Sequence, residues 1–332
     1  MKVMIMHGLI KDFPNNLAQG LNIAEATFYN KPLQRISNVV IVGMGGSGIG
    51  GLLVSEWLFD QLSVPVTLVK DYELPKFANE HTLIIGSSYS GNTEETLLAL
   101  QEAKRRKCFI IGICSGGKLQ EFCEQNFYDC TLVPSGNPPR TALAFSIIQL
   151  LNIFTQLGLA NLEWKNAIRD TREILLDDRD LIHEEAKKAA SFLKDCIPVI
   201  YSTPNYEGVA IRMRQQLNEN CKVLCWHHVI PEMNHNELVG WGGGSNKFGV
   251  VVLDSGDWGE RNNIRREYTL SVLKQKTDKI YLLKTKGKNI IEKALYFIHI
   301  IDWASWYLSE MTAIDPIEID VINNLKNTLS SK

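Results

Sequence analysis

The stretch Ser87-Ser88-Tyr89-Ser90-Gly91-Asn92-Thr93-Glu94-Glu95-Thr96 gathers three hydroxyls, those of Ser88, Ser90 and Thr93, in one turn. An apolar run, Thr82–Gly86, precedes it, and a helical pattern begins at Thr96. A strand therefore enters a turn that opens a helix. The unpaired N–H groups and positive dipole end of a helix N-terminus favour an anion. A phosphate dianion, with several acceptor oxygens, suits the added hydroxyl donors. Capping alone needs only one Ser or Thr. Three of them, with small turn residues and no Lys, predict phosphate held by hydroxyls and amides.

A second loop supports that reading from another side. After the apolar run Asn38–Val42 comes Gly43-Met44-Gly45-Gly46-Ser47-Gly48-Ile49-Gly50-Gly51. Gly43, Gly45 and Gly48 satisfy G-x-G-x-x-G in a strand-turn-helix context, and Asp71 follows the next strand where a ribose-binding carboxylate would sit. An NAD(P)-dependent Rossmann enzyme is thus one reading. Against it, six glycines in nine residues exceed what a pyrophosphate turn needs and point to close backbone approach. A Rossmann domain also gives no reason for a hydroxyl-rich turn after the third strand. One small phosphorylated ligand could touch both loops at the carboxyl ends of parallel strands.

Further candidates are isolated side chains. Arg140 follows Pro138-Pro139, a rigid approach, and a cation at a helix start opposes the dipole, so a purely structural role is poorly motivated. Cys221, Cys225, His227, His228 and His235 fall within fifteen residues. Strand alternation would put Cys225 and His227 on one face and His228 on the other, and the spacing matches no zinc pattern. No metal site is expected.

The elements that must position these groups follow from periodicity. Strands are predicted at Asn38–Val42, Pro65–Val69, Thr82–Gly86 and Phe109–Ile113, then at Ile197–Tyr201, Lys222–Trp226, Phe248–Leu253 and Lys279–Leu283. Helical patterns between most of them indicate parallel sheets with crossover helices. The two halves share a rhythm, which predicts two related α/β domains, over residues 1–160 and 161–332. Leu162 to Lys194, rich in alternating charge with apolar residues at helical spacing, reads as an exposed helix pair between them. Ile290–Leu308 and Glu318–Leu329 read as further helices. Thr141 to Glu163 carries no charge before its last position, but Ser146, Gln149, Asn152 and Gln156 form one polar stripe. That stripe predicts a buried core or interface helix rather than a membrane span.

At 332 residues, two domains are the natural expectation. A 45% hydrophobic and 22% charged chain has ample core, and a net charge of −2 suggests neither nucleic acid nor an acidic membrane as partner. Seven scattered cysteines without a C-x-x-C pair fit reduced thiols in a cytoplasm. The apolar stretch at the N-terminus is too short for a signal peptide.

Together, Gly43–Gly51, Ser87–Thr96, Pro134–Ala142 and Pro231–Trp241 occur in the order found in the sugar isomerase (SIS) family of sugar-phosphate-binding domains. With Leu217-Asn218-Glu219-Asn220, they most resemble its bifunctional phosphoglucose/phosphomannose isomerases. The resemblance implies an α/β chain of two SIS domains, each a mainly parallel sheet between helix layers. It implies a homodimer with sites at domain and subunit boundaries and no cofactor or metal. The activity implied is isomerisation of glucose 6-phosphate and/or mannose 6-phosphate with fructose 6-phosphate through a cis-enediol. In that scheme Glu219 is the base that moves a proton between C2 and C1. His235, in Asn234-His235-Asn236-Glu237, would open the ring, and its counterpart in phosphoglucose isomerases is thought to come from the neighbouring subunit. Arg140 would steady the enediolate. Gly46 and Ser47 would contact substrate, Ser88, Ser90 and Thr93 would hold the 6-phosphate, and Lys326 matches a substrate-contacting Lys of the last helix. Asp315-Pro316 is followed by Ile317-Glu318, where the family often has Thr-Pro, which bears on the register of that helix. The alternatives are another SIS-type sugar-phosphate isomerase and a non-catalytic sugar-phosphate sensor. A sensor of that kind usually adds a DNA-binding helix-turn-helix, and no basic recognition segment precedes Asn38.

Overall fold

The structure, a computed structural model, describes residues 2–161 and 163–330. Met1, Leu162, Ser331 and Lys332 lie outside the described residues, including the expected first residue of the charged helix pair. The chain starts with α1 (Lys2–Lys11) and α2 (Phe13–Ala26). It continues through β1 (Asn38–Val42), α3 (Gly45–Trp57), β2 (Val66–Val69), β3 (Thr82–Ser87), α4 (Glu94–Arg105), β4 (Phe109–Cys114), α5 (Gly117–Gln125) and β5 (Asp129–Leu132). Next come α6 (Leu143–Gln156), α7 (Trp164–Asp177), α8 (Arg179–Leu193), β6 (Ile197–Ser202), α9 (Glu207–Cys221), β7 (Trp226–Val229) and α10 (Glu237–Gly240). Then follow β8 (Phe248–Asp254), α11 (Glu260–Leu273), β9 (Ile280–Lys284), α12 (Ile290–Met311) and α13 (Asp320–Ser330). Two compact units result. One comprises Asp12–Ile174 and Asn289–Glu292; the other comprises Met1–Lys11, Leu175–Lys288 and Lys293–Lys332.

The first unit holds a five-stranded, all-parallel sheet in the order β2-β1-β3-β4-β5. Strand alternation explains its layers. Val40, Val42, Ile84 and Ile110 face one side and pack with Leu100 of α4 and Leu119 of α5. Ile41 faces the other side, where Gly51 of α3 lies against it. A sheet buried on both faces between helices is the parallel solution expected from near-continuous apolar strands. Strand order reverses between β1 and β3, so the crevice at their carboxyl ends is a topological switch point.

In α6, residues Leu143–Phe154 are buried all round. The stripe read from the sequence bonds the backbone of α2 and its end: Gln149 donates to Gly20 O at 2.9 Å, Asn152 to Ala24 O at 3.0 Å and Gln156 to Thr27 O at 2.6 Å. Among the described residues, no helix is long and apolar enough to cross a membrane.

The second unit repeats the scheme with four parallel strands in the order β7-β6-β8-β9. Its core joins Val199, Tyr201, Val250, Val252, Met233, Trp241 and Trp258. At its own switch point, between β6 and β8, the following loops carry Tyr206 and Asp257. Tyr206 Oη donates to Asp257 Oδ2 at 2.9 Å, and Lys293 Nζ does so at 3.0 Å.

One local expectation needs correction, and two elements were missed. The strand expected at Lys222–Trp226 forms at Trp226–Val229, because α9 runs on to Cys221 and Lys222 turns the chain in a left-handed conformation. The short edge strand β5 was not expected from Asp129-Cys130-Thr131-Leu132, which lacks an apolar run. Nor was α2, although Phe13, Leu17, Leu21 and Ala24 recur at helical spacing.

Candidate active site

Four loops at the carboxyl edge of the first sheet meet around Tyr89. Its N–H donates to Ser47 Oγ at 3.0 Å, and its hydroxyl donates to Pro134 O at 2.8 Å while accepting from Asn137 N at 3.0 Å. Its carbonyl takes both the N–H and the hydroxyl of Ser115, at 2.8 and 2.7 Å. Burial pushes the Tyr89 phenol up, and the bond from Asn137 opposes the rise. One side chain thus joins the glycine loop, the hydroxyl turn and the approach to Arg140. Sequence reading missed Tyr89, whose role lies in tertiary bonds that no spacing announces.

Within the hydroxyl turn, Ser88 Oγ lies 2.8 Å from Thr93 Oγ1. Thr93 occupies the N-cap position of α4 but makes no side-chain cap hydrogen bond. Its hydroxyl is not spent on the helix, so the first-turn amides keep their capacity for an anion. Ser90 is exposed on the same turn and accepts from Asn92 N at 3.3 Å. Gly91 bends the turn with φ +68°, where a Cβ would strike Gly116 O. The turn is therefore packed in place before any ligand arrives.

The glycine loop serves close approach. A Cβ on Gly43 would lie 2.8 Å from Ser87 O, and one on Gly46 would lie 2.9 Å from Pro139 O. Ser47 is buried beside them, in the first turn of α3. Arg140 is buried too, in a 3-10 turn at Pro139–Thr141 that enters α6. Gly46, Ser47, Ser88, Thr93 and Arg140 are thus held by one interlocked loop cluster.

Glu219, His235 and Lys326 sit on three elements of the second unit. Glu219 lies half-buried in the last turn of α9, the negative end of the helix dipole, where a carboxylate adds no helix stability. The register of α9 is fixed by a polar face against α12. Arg212 donates to Asp302 at 2.8, 2.9 and 3.2 Å, Gln216 joins the same carboxylate at 2.7 Å, and Asn220 reaches Ser305 Oγ at 2.9 Å. The Cys221 thiol turns to Ser305 O at 3.0 Å.

His235 ends a 3-10 turn, Glu232–His235, and is exposed. Its flanks are anchored. Asn234 Nδ2 donates to Thr269 Oγ1 at 2.8 Å. Glu237 accepts from the Tyr201 hydroxyl and, at 3.1 Å, from Trp226 Nε1. Trp241 Nε1 in turn donates to Tyr201 Oη at 2.8 Å. Burial first, and then the Glu237 carboxylate, pushes the Tyr201 phenol well above its ordinary range. Glu237 and Asn234 thus brace the segment on either side of His235. Lys326 is exposed on α13. Among the described residues, no three His, Cys, Asp or Glu side chains converge as metal ligands would.

Comparison with known proteins places this geometry. Residues 33–137 match the SIS domain, and residues 182–329 match the bacterial phospho-glucose isomerase C-terminal SIS domain. A bifunctional phosphoglucose/phosphomannose isomerase of Caldicellulosiruptor bescii is 35% identical over 97% of this chain and 98% of its own. The chain belongs to the bifunctional phosphoglucose/phosphomannose isomerase family. Another protein of that name, from Aquifex aeolicus, is 34% identical over 90% of this chain and 92% of its own. Among solved structures, the C-terminal domain of glucosamine-fructose-6-phosphate aminotransferase from Francisella tularensis superposes with a TM-score of 0.72 at 14% identity, covering 93% of this chain and 96% of that one. That likeness concerns the fold alone. The family assignment replaces the dinucleotide reading of Gly43–Gly48.

Proposed function

We propose that this protein is a metal-independent aldose–ketose isomerase interconverting glucose 6-phosphate and/or mannose 6-phosphate with fructose 6-phosphate through a cis-enediol. The observation that carries the reading is the mouth of α4. Ser88 and Thr93 bond to one another rather than capping the helix, beside the switch point of a parallel sheet, in a chain of this family. There the 6-phosphate takes the hydroxyls of Ser88, Ser90 and Thr93 and the first-turn amides, with Gly46 and Ser47 against the sugar. Glu219 carries the proton between C2 and C1; one carboxylate suffices, since its role reverses between half-steps. His235 exchanges protons with the ring oxygen and O1, work suited to imidazole near neutral pH. Arg140 supplies a fixed positive charge for the enediolate. Lys326 is the last substrate contact.

The working form in this reading is a homodimer, with His235 exposed on a braced turn where a second copy can use it. Seven free cysteines suit a reducing cytoplasm. The test is isomerase activity on fructose 6-phosphate in EDTA, scoring glucose 6-phosphate and mannose 6-phosphate separately. Glu219→Gln should lose about 10²–10⁴-fold in kcat while keeping its fold. Loss of wild-type turnover in EDTA, restored by added metal, would refute metal independence. Binding of fructose 6-phosphate without turnover would leave a sensor.

A further inference from the structure

Lys222 ends α9 with φ 55° and ψ 35°. Helices that close in this left-handed conformation ordinarily do so with Gly or Asn, because a Cβ is penalised there. The side chain accounts for the exception. Its Nζ donates to the carbonyl oxygens of Glu219 at 2.7 Å, Asp315 at 3.0 Å and Glu318 at 2.6 Å. An ammonium group carries three protons, so its whole donor capacity goes to backbone oxygens. The Glu318 carboxylate lies 3.7 Å away as a counter-charge.

The three carbonyls come from two places. Glu219 O is among the last-turn carbonyls that a helix leaves without an intrahelical partner. Asp315 O and Glu318 O belong to the segment leading into α13. That segment is ordered by its own side chains: Asp315 accepts from Ile317 N at 2.9 Å, and Glu318 accepts from Asp320 N, the first amide of α13, at 2.5 Å. A single side chain therefore ties the end of α9 to the start of α13.

We propose that Lys222 is a positioning residue for isomerisation, its ammonium clamping the Glu219 backbone and the root of the Lys326 helix in one register. The proposal rests on the reading of Glu219 as the base. The Lys222 ammonium bonds backbone carbonyls and lies beside the Glu318 carboxylate, so its effect on the reaction passes through Glu219 and α13.

Two variants of the full-length protein test it. Lys222→Gly removes the ammonium but gives the backbone its preferred residue; Lys222→Met removes the ammonium and keeps the stem. Each is measured for kcat and KM with fructose 6-phosphate, for Tm, and for amide hydrogen exchange across residues 315–330. Both should lose between about ten- and a hundredfold in kcat/KM, the scale of a small misplacement at a reacting centre. Exchange across 315–330 should quicken about tenfold or more. Lys222→Gly should do this with Tm at or above that of Lys222→Met, so that activity falls without a matching loss of stability. Wild-type kcat/KM in both variants would overturn the proposal. So would unchanged exchange, or a loss confined to the variant with the lower Tm. If the wild type proves not to isomerise sugar phosphates, the reading of Glu219 fails, and exchange across 315–330 still decides whether the clamp exists.

Discussion

Removing Asp302 should cost more stability than any hydrogen-bond count suggests. Arg212 is 1% exposed, and its guanidinium donates three hydrogen bonds, at 2.8–3.2 Å, to this carboxylate. Gln216 Nε2 donates to Asp302 Oδ1 at 2.7 Å. Burial pushes the Asp302 carboxyl up, and the guanidinium opposes the rise. In Asp302→Ala the guanidinium stays buried without a counter-charge, a loss of about 3–5 kcal/mol. For a unit of this size that corresponds to a Tm lower by about 6–20 °C. Arg212→Met with Asp302→Leu removes both desolvation penalties and should fall between neutral and about 4 kcal/mol more stable than wild type. Five of the seven tryptophans lie in this unit, so denaturant unfolding followed by Trp fluorescence reports on it. A double variant as unstable as Asp302→Ala, or a single variant costing under about 1 kcal/mol, would refute the argument from unpaired charge.

Two further outcomes follow from other parts of the chain. Ser88→Ala with Thr93→Ala removes two donors to a dianion, each worth about 1.5–3 kcal/mol, and should raise KM for fructose 6-phosphate at least about tenfold; unchanged KM would show that the phosphate lies elsewhere. His299 is buried, and desolvation, helped by His183, holds its imidazole from 6.5 down to about 3. The unfolded chain takes up that proton as pH falls below 6.5 while the folded chain does not, so stability should drop by up to about 1.4 kcal/mol per pH unit between pH 6 and 4. His299→Gln, which keeps an acceptor for Trp303 Nε1 at 3.2 Å in the parent, should flatten that slope; an unaltered slope would assign the acid sensitivity to other groups.

What was legible in the sequence depended on how locally each feature is encoded. β1, β3, β4, β6 and β8 are buried on both faces, so their apolar runs stand out. β5 is a four-residue edge strand with one buried position, and only tertiary pairing with β4 makes it a strand. The polar stripe of α6 was readable because, apart from Thr155, nothing else there is polar. The equivalent stripe of α9, Arg212, Gln216 and Asn220 at four-residue spacing, hid among charged neighbours, although it sets the register of the turn bearing Glu219. The hydroxyl turn announced itself by residue type. Its rigidity, which comes from Tyr89 and from the contact of Gly91 with Gly116, is a property of loops distant in sequence.

Asp257 gives the repeated architecture an arithmetic. Both sheets reverse strand order in the same way, so each offers a crevice of the kind in which such folds take ligands. At the second, the chain places its own carboxylate, held by Tyr206 and Lys293. A phosphate approaching there meets like charge and a cation already engaged. On the proposed function, two sheets of one pattern therefore amount to a single binding equivalent per chain. In the proposed mechanism the second is released from recognition and carries instead the helix end of Glu219 and the braced turn of His235, the two groups proposed to move protons.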